Sequence, residues 1–246
     1  MNNAISTVGV VGYGRFGSFF TDLILPMVFP KAKIHIFSRH LKDESATTIK
    51  EVSQSDLIIP AVPIRSMKEV LSNISKHIKK DSIVMEVCSV NLYPVRLMQE
   101  ILPKDVSIIS SHPLFGLSSF LNVQKDLSKL PMVIYPERID EKLYRGIFDS
   151  FAEKLNVIEM SPDEHDKKSA QFQFLSHFLG GVLHKLELKR SAIDAQSGAR
   201  MFDMMDVISR DSQELFEDMY IFNPYAKKEL EKFDRVYQSM KDTLHS

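Results

Sequence analysis

The stretch VGVVGYGRFGSFF, Val8 to Phe20, holds four of the nine glycines in this 246-residue chain. An average chain of that length carries roughly seventeen glycines, so backbone freedom is concentrated here for a reason. Thr7–Val11 is apolar and β-branched and reads as a strand running straight into Gly12. Phe16, Phe19, Phe20, Leu23 and Ile24 follow at helical spacing. A strand, a glycine turn and a helix in that order is the arrangement that binds a dinucleotide. Gly12 permits the tight turn, Gly14 lets a pyrophosphate approach the backbone, and Gly17 lets helix and strand pack closely. The helix start adds anion attraction. The whole loop, Gly12, Tyr13, Gly14, Arg15, Phe16 and Gly17, is therefore a candidate cofactor clasp.

Outward from this loop, short apolar runs alternate with amphipathic stretches up to about Met160. The runs are AKIHIFS, DLIIPAVP, DSIVMEVCS, VSIISS, PMVIYP and NVIEM, and between them RSMKEVLSNISKHI and YRGIFDSFAEKL read as helices. Runs rich in Val and Ile read as buried parallel strands, and the alternation predicts an α/β, doubly wound Rossmann domain. After Met160 the strand signal fades. SPDEHD offers a helix start, with Ser161 as cap, Pro162 in the first turn and Glu164 closing a capping box. The expected division is a dinucleotide-binding domain over residues 1–160 and a smaller all-helical dimerisation domain over 161–246.

A net charge of −1 advertises neither nucleic acid nor an anionic membrane as partner. One cysteine, Cys88, excludes an intramolecular disulfide and any multi-cysteine metal site, which fits a reducing compartment. The N-terminal residues show no signal-peptide pattern, and the uncharged stretch Ser169–His184 is too short to span a bilayer. The expectation is a soluble, cytoplasmic protein without a metal.

The second apolar run ends in IFSRH, where an NAD site usually places an acid for the ribose hydroxyls. Ser38, Arg39 and His40 stand there instead. A hydroxyl and a guanidinium suit a 2′-phosphate, which points to NADP rather than NAD. Val62 and Pro63, at the end of DLIIPAVP, join the cofactor candidates. Two further strand ends gather polar residues. EVCSVN puts Ser89, and IISSHPLFG puts His112, just past apolar strands, where open α/β sheets bind ligands. A fixed imidazole there can accept a hydroxyl proton as hydride leaves carbon. A third candidate is His177. Within Ser169–His184, Leu175, Leu179, Val182, Leu183 and Leu186 make one apolar helix face, and Ala170, Gln173, His177, Gly181 and His184 an uncharged opposite one. A solvated face would carry Lys or Glu, so the helix is expected to be buried on both sides.

Taken in order, GYGRFG, SRH, DLIIPAVP, EVCSVN, SHPLFG, EHD and the helical SH resemble the prephenate and arogenate dehydrogenases of tyrosine biosynthesis, over about residues 6–235. The tail DSQELFEDMYIFNPYAKKELEKF is most similar to the plant-type arogenate enzymes. The resemblance implies hydride transfer from the hydroxyl-bearing ring carbon of prephenate or arogenate to a nicotinamide, with loss of the ring carboxylate as CO₂, in a homodimer. It places the catalytic histidine on His112, the serine that positions the hydroxyl on Ser89, and a substrate-binding histidine on His177. Three positions depart from the family pattern. The lysine after Ser89 is Asn91, a second helix histidine of bacterial members is Gly180, and the carboxylate-binding arginine falls on Val207. Arg200 and Arg210, seven residues before and three after, share a helix face with that position, and either is a candidate for the substrate carboxylate. Asp194, in SAIDAQSGAR, is a candidate acceptor for the ammonium that distinguishes arogenate from prephenate. Alternative readings are a related Rossmann dehydrogenase of another small acid and a catalytically inactive NADP-binding regulator.

Overall fold

The structure, a computed structural model, describes residues 5–39, 41 and 47–244. His40, a cofactor candidate, lies outside the described residues. The chain forms two compact units, Met1–His165 and Asp166–Ser246.

The first unit opens with β1 (Thr7–Val11), then α1 (Arg15–Phe19), which continues through a π turn at Phe20–Ile24 into α2 (Leu25–Val28). There follow β2 (Lys33–Phe37), α3 (Ile49–Val52), β3 (Leu57–Pro60), α4 (Met67–Ser75), β4 (Ile83–Met85), α5 (Leu92–Ile101) and β5 (Ser107–Pro113). The unit continues with α6 (Leu117–Asn122), β6 (Pro131–Arg138), α7 (Glu141–Ala152) and β7 (Asn156–Glu159). The seven strands make one sheet in the order β2-β1-β3-β4-β5-β6-β7. The chain winds outward from β1 in both directions, so the sheet is doubly wound and the crevice at the carboxyl ends of β1 and β3 is the topological switch point.

Burial follows the apolar pattern. The helical positions Phe19, Phe20 and Ile24 lie in the core with Val8, Val10, Leu57 and Ile59 of the central strands, and Phe16 and Leu23 pack against them. Helix starts use local caps: the Asp140 carboxylate accepts from the Lys142 and Leu143 N–H groups at the head of α7.

Two strand expectations are corrected. β6 runs antiparallel to β5, and β7 pairs parallel to β6, so the last two strands oppose the first five. The edge strands β2 and β7 are also only partly buried, each covered on fewer sides than an interior strand. The antiparallel pairing has a consequence for the site. β4 pairs with β5 only as far as Met85↔Ile109, whereas β6 pairs with β5 out to Pro113↔Met132. β5 therefore overhangs β4 by four residues at its carboxyl end, and His112 is on that overhang rather than past the strand.

The second unit is helical. α8 (Pro162–Ser169) crosses from the first unit into it and runs through a π turn at Ala170–Phe174 into α9 (Leu175–Lys185). α10 (Gln196–Ile208), α11 (Gln213–Phe222) and α12 (Ala226–Thr243) follow. The sequence placed the division before α8, and the two units divide inside it. Gly180 explains the absence of a second helix histidine. A Cβ there would lie 2.6 Å from Ile208 Cδ1 and 3.3 Å from its Cβ, so α9 packs closely on α10 and a side chain at this position would have to displace Ile208. The expectation of a helix buried on both sides is not met within one chain: Val182 is 40% and Leu186 61% exposed on the apolar face.

Candidate active site

The glycine loop follows β1 and enters α1. Gly12 has φ +106°, and a Cβ added to it would fall 2.2 Å from the Ala61 carbonyl oxygen. Only glycine fits, on both counts. A Cβ at Gly17 would fall 2.5 Å from the Gly12 carbonyl oxygen, so the turn and the helix touch through that position. Gly14 is exposed, with nothing within 4 Å of where its Cβ would be. The three positions thus provide a turn, an open approach and a close packing contact.

A cleft of about 340 Å³ opens from this loop. Gly12, Tyr13 and Gly14 line it after β1, Ser38 and Arg39 after β2, and Val62 and Pro63 after β3. Of the sequence candidates, Arg15, Phe16 and Gly17 do not line it. Phe16 turns inward and stacks on Phe20 with centroids 5.3 Å apart. Tyr13 donates to Asp22 Oδ2 at 2.6 Å, which ties the loop to the helix behind it. Ser66, Glu69, Val70 and Asn73, one face at the head and along α4, form the facing wall, which no sequence pattern had marked.

The second cluster lies at the ends of β4 and β5. Ser89 falls four residues past β4 and is buried. The loop that carries it is tied to β5 by Glu86, which is fully buried. One oxygen of Glu86 accepts from Asn91 Nδ2 at 2.8 Å, Ser110 Oγ at 2.8 Å and Ser111 N at 3.0 Å. The other accepts from Cys88 N at 2.7 Å. Asn91 Nδ2 also donates to the Ser111 carbonyl at 3.1 Å. The residue at the family's lysine position is therefore a buried amide that clamps the residue before His112. Buried donors and acceptors are costly unless paired, and this network pairs them.

His112 is buried, and its Nδ1 lies 2.8 Å from Nε2 of His165, with the rings 81° apart. Burial, and then the neighbouring His165 ring, hold the His112 imidazole well below the usual histidine range. His165 is itself buried, although it lies among the charged residues of PDEHDKKS. It was not among the sequence candidates. The available signal was the EHD motif, whose Glu164 had been assigned a capping role, and Ser161 Oγ does accept from Glu164 N at 3.3 Å.

His177, Asp194, Arg200 and Arg210 all lie in the second unit. His177 has Nδ1 2.8 Å from the Gln173 carbonyl oxygen and Nε2 3.0 Å from Asp211 Oδ2. Asp194 accepts from Ser191 N at 3.0 Å and Ser191 Oγ at 3.2 Å, which braces its own loop. Arg200 and Arg210 are exposed. Among the described residues no group of three His, Cys, Asp or Glu side chains could hold a metal ion, and no helix is long and apolar enough to cross a membrane.

A doubly wound sheet with a glycine-turn cleft at its switch point defines a Rossmann-type dinucleotide-binding protein with a helical second unit. Comparison with known proteins narrows the class. Residues 31–134 match the model for "Prephenate dehydrogenase, nucleotide-binding domain", and residues 182–246 match "TYRAAT1-like, C-terminal domain". Arogenate dehydrogenase 1, chloroplastic, of Arabidopsis thaliana is 30% identical over 96% of this chain and 39% of its own length. Arogenate dehydrogenase 2, chloroplastic, of the same plant is 27% identical over 96% of this chain and 69% of its own length. The crystal structure of prephenate dehydrogenase from Aquifex aeolicus, in complex with hydroxyphenyl propionate and NAD+, has the same fold, with a TM-score of 0.76 at 20% identity over 99% of this chain and 92% of that one. Residues 31–134 belong to the prephenate dehydrogenase nucleotide-binding family, and the chain as a whole is similar to plant arogenate dehydrogenases. It spans less than half of the first of the two plant relatives.

Proposed function

We propose that this chain is an NADP-dependent dehydrogenase that oxidatively decarboxylates arogenate or prephenate, in tyrosine biosynthesis, as a homodimer in the cytoplasm. The observation that carries the reading is His112: a buried imidazole, kept neutral, fixed by His165 on a strand overhang in a nucleotide-binding unit. Named relatives support the substrate class, since both Arabidopsis proteins are called arogenate dehydrogenases.

The cleft residues fit a dinucleotide. Gly14 leaves the backbone open to a pyrophosphate, and Ser38 and Arg39, which line the cleft after β2, offer a hydroxyl and a guanidinium that suit a 2′-phosphate. The nicotinamide, when bound, takes up the hydride from the hydroxyl-bearing ring carbon. His112 accepts the hydroxyl proton at the same carbon, and Ser89 orients that hydroxyl. The ring carboxylate leaves as CO₂, its bonding electrons enter the ring, and the proton held on His112 returns to the phenolic oxygen. Aromatisation drives the reaction, so the chain's task is alignment and proton transfer. His177, with Arg200 or Arg210, is proposed to hold the substrate's carboxylates, and Asp194 is kept as the candidate acceptor for the arogenate ammonium.

Steady-state turnover of prephenate and of arogenate, each with NADP+ and NAD+, tests the reading. A nucleotide sensor would bind NADPH and turn over neither substrate.

Arg39→Ala is expected to weaken NADPH binding by about 1.5–3 kcal/mol, the range for hydrogen bonds to a charged group, and to leave NADH binding unchanged. Fluorescence titration with both nucleotides measures this, and equal losses would assign Arg39 no role in phosphate selection.

The homodimer is supported by the apolar surface of the second unit. Phe172, Leu186, Ile193, Ile221 and Met240 are each more than 60% exposed, apolar surface that a second copy of the chain would cover. Light scattering is expected to give twice the 28.2 kDa chain mass, and Leu186→Lys with Ile221→Lys is expected to return the monomer. A wild-type monomer at micromolar concentration would remove the proposal.

A further inference from the structure

We propose that His165 is a positioning residue that holds His112 as its Nδ1–H tautomer, so that the Nε2 lone pair of His112 is the one that receives the substrate proton. The inference rests on the reading of His112 as the proton acceptor and adds to it a partner, a tautomer and the reacting nitrogen.

Two imidazole nitrogens 2.8 Å apart share one proton, so one ring donates and the other accepts. Two arrangements are available. If His165 Nε2–H donates, His112 accepts at Nδ1, and its remaining proton sits on Nε2. That nitrogen then has no free lone pair. If His112 Nδ1–H donates, His165 accepts at Nε2, and His112 Nε2 is left as a base. Only the second arrangement can take a hydroxyl proton. Which ring nitrogen carries the proton is set by the hydrogen bond the other one makes, and the bond from Nδ1 is the one His165 supplies.

The surroundings of His112 leave that bond a specific job. The His112 backbone is fixed. It lies on β5 opposite Val133, and Pro113 follows it. Ser111, just before it, is held through its N–H by Glu86 and through its carbonyl by Asn91. What remains soft is the side chain, two torsions that the backbone clamp does not reach. His165 closes them, at 2.8 Å and with its ring edge-on to that of His112. His165 stands on the first turns of α8, whose start is capped by Ser161. The two rings are both nearly excluded from solvent, and in such surroundings two imidazolium ions side by side are disfavoured. With His112 neutral, one proton shared between the two facing nitrogens is the consistent state. Proton uptake at His112 Nε2 then makes its Nδ1–H a charge-assisted donor to His165, which strengthens the same bond as the hydroxyl is deprotonated.

The test uses two substitutions in the full chain. His165→Gln keeps an acceptor oxygen able to reach the Nδ1–H, and His165→Leu keeps bulk without an acceptor. Turnover with the better of prephenate and arogenate is expected to fall about 10²-fold in His165→Leu, the lower end for lost acid–base help. It should stay within about 10-fold of wild type in His165→Gln, with NADPH affinity matching wild type in both and the melting temperature lowered more in His165→Leu, where the buried Nδ1–H has no acceptor. In parallel, ¹⁵N-histidine spectra of the wild type, with the His112 signals assigned by their loss in His112→Asn, are expected to show the Nδ1–H form. An Nε2–H form for His112 in the wild type overturns the proposal, whatever the activity. So does His165→Leu with wild-type turnover, or His165→Gln as inactive as the leucine variant while equally stable. Should the leucine variant fail to fold, the wild-type spectrum and the glutamine variant still decide. A wild type that turns over neither substrate fails the functional reading alone, because the spectrum reports the tautomer without substrate.

Discussion

Replacement of His112 by asparagine is expected to lower kcat by about 10²–10⁴, the usual contribution of a positioned acid or base. Cofactor affinity should be retained, because His112 does not line the cleft that the glycine loop opens. The pH dependence carries a second signature. Burial and the His165 ring keep His112 neutral below the ordinary histidine pKa of 6.5. The acid limb of kcat/KM assigned to His112 is therefore expected well below pH 6.5, so the base stays available across the neutral range. The same shift couples to stability. As pH falls through 6.5 the unfolded chain binds a proton on this residue before the folded chain does, so the folded state loses stability towards acid. His112→Asn removes that contribution and should flatten the decline in melting temperature from pH 7 to 5. A variant with near-normal kcat and an unaltered pH–stability slope would leave His112 as an ordinary core histidine.

Glu86→Ala is expected to be the most destabilising of the single substitutions at the site. It removes the acceptor for four buried donors, on Cys88, Asn91, Ser110 and Ser111. A buried donor left unsatisfied costs about 1–3 kcal/mol. With partial relaxation the expected loss is about 3–5 kcal/mol, in the range reserved for broken buried networks. For a chain of this size that corresponds to roughly 10 °C in Tm. Glu86→Gln separates charge from geometry. It can keep the oxygen that takes three donors, but it turns an NH₂ towards the Cys88 N–H, so a smaller loss of about 1–3 kcal/mol is expected. Thermal unfolding of the two variants checks the order. Equal stability of Glu86→Ala and wild type would mean that the donors find water or each other, and the network would lose its structural role.

The glycine loop was readable because its constraints are local. A positive φ at Gly12 and a contact at Gly17 that excludes a side chain each demand one residue type at one place. The helix behind the loop was readable from the spacing of Phe16, Phe19 and Phe20. Strand direction was not. An apolar β-branched run has the same composition whether it lies parallel or antiparallel to its neighbour, so the reversal at β6 left no trace in PMVIYP. The position of His112 on the strand follows from that reversal, since only the antiparallel partner extends β5 past β4. His165 was hidden for a different reason. Hydropathy assigns PDEHDKKS to solvent, and the burial of one side chain in it depends on a partner 53 residues earlier in the chain. Asn91 looked like a lost charge when compared with the family. In the fold it is a donor matched to Glu86 and to the Ser111 carbonyl, and a glutamate ending the apolar run IVM was the clue that a polar pair was needed there.

Glu86 also holds the backbone of the chain's one cysteine, and this makes the loop observable. Cys88 is buried, its N–H is bound by the Glu86 carboxylate, and Ser89 follows it directly. A thiol in that position reacts with a disulfide reagent only when the loop leaves β5, so its labelling rate counts excursions of the loop that carries Ser89. With no second thiol in the chain, the signal comes from one place. A closed site labels slowly even in a protein that stays folded throughout, and a ligand that tightens the loop slows the reaction in proportion to the openings it suppresses. The carboxylate that ties this loop to the strand carrying His112 thereby turns an unremarkable buried cysteine into a clock for how often the loop comes undone.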